Sequence, residues 1–118
     1  MPKYAQPQLS PQTERAAAVF GVNAARVAVL STICASPGLT SGQIAAQAGL
    51  PANTAREHLA RLVEEGVVIA DPPLTAPHSE RRGQRPTYVA NQDELRRHWL
   101  QLGKEFGLTN TDDTDAPL

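Results

Sequence analysis

Three arginines, Arg81, Arg82 and Arg85, fall inside five residues with no carboxylate between them. Such a gathering of positive charge suits a polyanionic partner, and equally describes a solvated turn. Chemistry of other kinds is sparse. Cys34 is the single cysteine, which excludes an internal disulfide and any Cys-rich metal site. His58, His78 and His98 lie far apart, and neither a CxxC nor an HxxxH spacing occurs. G-x-S-x-G, a phosphate-cradling glycine loop and paired carboxylates with a plausible base are all missing. The expectations are therefore no metal, no cofactor and no enzymatic activity. Cys34, inside an apolar stretch, reads as a small core residue.

The distribution of charge says more than its total. The net charge is −1, but Asp112, Asp113 and Asp115 stand in the last ten residues, and without them residues 1–108 carry +2. Arginine outnumbers lysine nine to two. At 118 residues the chain suffices for one domain and falls short of two. Hydrophobic residues make up 41% and aromatics only 4%, so the core must be built from Ala, Val, Leu and Ile. No run approaches roughly 18 apolar residues, and MPKYAQPQLS lacks the apolar centre of a secretory signal. The expected setting is cytoplasmic.

The elements that must position the arginines can be read in order. Residues 1–10 form a loose arm. Ser10 before Pro11 starts a helix that runs to about Phe20, because Ser caps free N–H groups and Pro has none to lose. Asn23 caps a second helix over 24–35, with Val27, Leu30 and Cys34 at helical spacing beside Val29 and Ile33. Thr40 and Gln43 make a capping box for a short helix over 41–48, with Ile44, Ala45 and Ala48 facing inward. Gly49 stops it by a left-handed turn. A further helix over 52–65 carries Ala55, Leu59, Leu62 and Val63 on one stripe and ends at Gly66. VVIAD (67–71) and PTYVA (86–90) are β-branched or aromatic and read as a hairpin with a long loop over 72–85. Asn91 with Glu94 makes another capping box. The closing helix bears Leu95, Trp99, Leu102 and Phe106 at i, i+4, i+7 and i+11. The domain spans 11–107, and 108–118 is an acidic disordered tail.

Helix, glycine turn, helix, glycine, hairpin is the order of a helix-turn-helix followed by a wing. The fold class is mainly α with a small β-hairpin: a three-helix core, a wing and a C-terminal helix. A short helix crosses a second one through small residues, here the alanines at 45, 46, 48 and 55, and holds it proud of the domain. A duplex major groove, about 12 Å wide, admits one such helix. Its leading residues then reach base edges, and the helix dipole favours phosphates there.

SGQIAAQAGLPANTAREHLARLVEEGVV (41–68) resembles the helix-turn-helix of bacterial winged-helix regulators of the ArsR- and MarR-like group. NAAR (23–26) is similar to the lead-in of those proteins, and RRGQRPTYV (81–89) to their Gly-Arg-Pro…Tyr wing strand. The resemblance implies that Ala52, Asn53, Arg56 and Glu57 touch bases, with Thr54 nearer a phosphate. Asn suits adenine and Arg suits guanine, each through two hydrogen bonds. Glu57 departs from the basic or hydroxyl residue common at that place. It either accepts from a cytosine amino group or pairs with Arg61, which completes the candidate recognition set. His58 resembles a residue that packs near the domain, and a phosphate contact is the alternative role. The resemblance also places Arg81, Arg82, Gln84 and Arg85 over the adjacent minor groove or its phosphates. Leu95, Trp99, Leu102 and Phe106 either cover the domain core or, as the resemblance implies, form a two-fold dimer contact.

The resulting expectation is a homodimeric, sequence-specific double-stranded DNA-binding transcription regulator, acting as a repressor in the cytoplasm at the nucleoid. An effector, if one exists, leaves no mark in the sequence. Two other readings fit the same residues. One is a phage or plasmid DNA-binding protein for excision, partition or replication control. The other is a winged helix that docks on protein instead of DNA, which the near-neutral charge and Glu57 favour.

Overall fold

The structure, a computed structural model, describes residues 9–73 and 85–108. Among the described residues five helices and three short strands follow one another: α1 Pro11–Val19, α2 Ala24–Ala35, β1 Leu39–Thr40, α3 Ser41–Ala48, α4 Ala52–Glu64, β2 Val68–Asp71, β3 Thr87–Ala90 and α5 Gln92–Glu105. The helix starts form where local hydrogen bonding dictates. The side chain of Ser10 accepts from the Thr13 N–H, and that of Asn23 from the Arg26 N–H. Both halves of the Thr40–Gln43 capping box are made. At α5 only one half forms. Asn91 accepts from the Glu94 N–H at 3.2 Å, while the Glu94 carboxylate turns instead to Arg97 and His98.

Ile33, Ile44, Leu59, Val29 and Val68 are the largest fully buried side chains, drawn from α2, α3, α4 and β2. Each such aliphatic side chain contributes about 1.5–3 kcal/mol by leaving water. They bind the three helices and the sheet into one core, which fixes α4 against α3. Alanines close the α3–α4 approach: Ala45, Ala48 and Ala55 are buried, whereas Ala46 faces outward.

The hairpin is part of a larger sheet. β3 pairs antiparallel with β2 (Val68↔Ala90 to Asp71↔Thr87) and also with β1 (Leu39↔Tyr88, Thr40↔Thr87), giving the order β1-β3-β2. Two residues are too few to show an alternating pattern, so β1 was not expected. Its existence depends on a partner nearly fifty residues away.

Two other expectations need correction. Cys34 is exposed and not a core residue. The buried stripe of α2 is Ala28, Val29 and Ile33, so the next residue is turned away from the core. The apolar stripe of α5 does not cover the core either. None of its residues is buried, and only Leu95 packs against the core, half-buried. The arm over 1–10 and the tail over 108–118 fall almost wholly outside the described residues, as does most of the loop over 72–85.

Candidate nucleic-acid interface

Helix α4 buries Ala55, Leu59 and Leu62 and presents the rest of its circumference. Ala52, Asn53, Arg56, Glu57 and Arg61 are exposed, and Thr54 is half-buried. Recognition residues expected from sequence thus share the outward side of one helix. Pro51 caps α4 without a side-chain acceptor, so the first-turn N–H groups remain open. Arg56 donates from its guanidinium to the side-chain oxygen of Asn53. The two expected base readers are therefore tied to each other in the free protein. Glu57 makes no ion pair with Arg61 among the described residues, so the helix pairing considered from spacing is not formed.

Two flanks of α4 differ. On one, the Arg56 charge acts on the Tyr88 phenol of the sheet. Burial pushes that phenol above its ordinary pKa, and the Arg56 charge opposes the shift. On the other, Arg26 of α2 donates from Nε to Nδ1 of His58 at 3.2 Å. Burial, and then the Arg26 charge, hold His58 below its ordinary value of 6.5 against an opposing pull from Glu57. An open cleft of about 440 Å³ lies here, lined by Arg26, Glu57, His58, Ala60, Arg61 and Glu64. Sequence reasoning passed over Arg26 as a neighbour of α4. The NAAR phrase contained it, but no local rule links it to His58.

The wing leaves the sheet where Asp71 pairs with Thr87, and the Thr87 hydroxyl donates to the Asp71 carbonyl at 3.3 Å. Arg85 is described and exposed at the foot of β3. Arg81, Arg82, Gln84 and His78 lie outside the described residues.

A separate apolar face lies on α1 and α5. Trp99 is 66% exposed, Phe106 49%, Phe20 45% and Leu102 40%. Phe20 and Phe106 stack with ring centroids 5.6 Å apart. Three of the four expected dimer residues thus stand on this face, and Leu95 points toward the core. Phe20 and Val22 extend it, a contribution sequence reasoning missed because α1 and α5 are remote in the chain.

Among the described residues no group of three or more His, Cys, Asp or Glu could hold a metal ion, and no helix is long and apolar enough to cross a membrane. Residues 23–69 match the family model described as winged helix-turn-helix DNA-binding. The chain resembles the crystal structure of NolR from Sinorhizobium fredii with a TM-score of 0.50 at 18% identity, over 88% of this chain and 100% of that one. No curated protein matches the sequence. The fold is a winged helix-turn-helix.

Proposed function

From a winged helix-turn-helix whose second helix packs one side into the core and exposes the other, we propose that the chain is a double-stranded DNA-binding transcription regulator. One observation carries this reading. Asn53, Arg56 and Glu57 are exposed together on α4 while the opposite side of that helix is locked onto α3. The match of residues 23–69 to a DNA-binding family model supports it. In this reading α4 enters the major groove, where Asn and Arg read adenine and guanine, and the arginine-bearing loop over 72–85 lies along the backbone or minor groove.

The finer parts of the proposal concern assembly and outcome. The protein is a homodimer through the α1 and α5 face, reads an inverted repeat with half-sites about 34–36 Å apart, and represses by occupying that site. It acts in the cytoplasm, at the nucleoid. Selection of bound sequences from a random duplex pool tests motif, symmetry and spacing together. Titration across salt should give a slope of log K against log[salt] of roughly −4 to −5 per protomer. Absence of binding to any duplex at low salt would overturn the proposal and leave the protein-docking reading in its place. Recovery of tandem direct repeats would instead favour a role in excision, partition or replication control.

A further inference from the structure

The Arg26–His58 hydrogen bond joins α2 to α4 across 32 residues of chain. Because Nδ1 of His58 accepts, the neutral ring carries its proton on Nε2, which is left to donate elsewhere. The remaining guanidinium N–H groups of Arg26 have no partner among the described residues. On α4 itself, Thr54, His58 and Arg61 are spaced i, i+4 and i+7 and therefore share one flank. All three can donate hydrogen bonds. Helical spacing puts Arg56, whose charge acts on Tyr88 of the sheet, on the opposite, wing-side flank.

A helix lying in the major groove meets sugar–phosphate walls on both sides, and backbone contacts fix its register. The wing can serve only one wall. We infer that Arg26 and His58, with Thr54 and Arg61, form a second contact that grips a DNA backbone phosphate on the wall away from the wing. This rests on the DNA-binding function proposed above and adds α2 to the interface.

Arg26 keeps the cleft from being net negative. Glu57 and Glu64 line the same cleft as Arg26 and Arg61, so the four formal charges cancel. Without Arg26 the cleft is net negative and repels a phosphate. The carboxylates lie between the two flanks of α4, on the side toward base edges, where cytosine and adenine present amino donors.

Phosphate contacts are recognised by their salt dependence and their indifference to sequence. The test uses the whole chain with a selected duplex and an unrelated one. Arg26→Gln should weaken binding about tenfold on both and reduce the salt slope by about 0.9, with base preferences unchanged. Arg26→Lys should keep the slope. Scanning the duplex with single uncharged methylphosphonate linkages should find one whose neutralisation weakens the wild type but not Arg26→Gln. If Arg26→Gln does not fold, the exposed Arg61→Gln variant must lose sensitivity at a linkage that the wild type and Arg26→Lys both feel. An unchanged slope in a folded Arg26→Gln, or no such linkage, overturns the inference while leaving wild-type DNA binding intact. Failure of the wild type to bind any duplex would instead defeat the function on which it rests.

Discussion

Arg56 sits one helical turn beyond Asn53 and donates to its side-chain oxygen. That bond orders two side chains that would otherwise lose rotamer freedom on meeting a base, and it must open for each to make a bidentate contact. Arg56→Ala should therefore cost about 1–3 kcal/mol of discrimination at one guanine and leave Asn53 free to read its own base. Competition titrations with single-base variants of the selected duplex check this; equal losses on every variant would contradict it. His58 makes a second prediction at this scale. Its folded pKa is lowered by burial and then by Arg26, with Glu57 opposing, while Arg61 and Glu64 line the same cleft. The unfolded chain thus takes up the proton first as pH falls. The stability contributed by neutral His58 is fully present above about 6.5 and is lost as pH drops through that value toward the folded pKa. The urea midpoint of the wild type should fall between pH 7.5 and 5.5, and His58→Gln should flatten part of that fall. Identical pH profiles would assign the effect elsewhere.

The element scale is governed by the turn that sets α4 against α3. Gly49 ends α3 with φ +76°, a left-handed conformation that costs an L-residue with a Cβ roughly 1–2 kcal/mol. Gly49→Ala should lower unfolding stability by about that amount, and Gly49→Asn by no less, because its better tolerance of the region is offset by burying its amide at a buried position. Chemical denaturation measures both, and a neutral alanine variant would show that the turn relaxes. This element is legible in the sequence: glycine, capping box and apolar stripe all act within a few residues of one another. The Asn91–Glu94 pair shows where such reading ends. Its spacing suits a capping box, yet the Glu94 carboxylate pairs with Arg97 and His98 on its own helix. Both partners satisfy the same carboxylate, and spacing alone does not rank them.

For the whole molecule, the exposed apolar face on α1 and α5 carries the homodimer proposed above. Trp99, Phe106, Phe20 and Leu102 leave large apolar surface in water, and a two-fold partner presenting the same patch would cover it. Trp99→Glu buries a charge in such a contact and should give a monomer in sedimentation equilibrium. The monomer should remain folded and bind an inverted repeat far more weakly than the wild type. A variant that stays dimeric would move the interface elsewhere. Local interactions let the sequence by itself determine the helices, the caps of α1, α2 and α3, the α3–α4 turn, the β2–β3 hairpin and the outward set on α4, since period and capping need only near neighbours. Tertiary structure alone decided the β1–β3 pairing, the exposure of Cys34, the Phe20–Phe106 stack and the Arg26–His58 bond. Each depends on segments far apart in the chain, whose meeting is set by how the core packs and not by the residues that flank them.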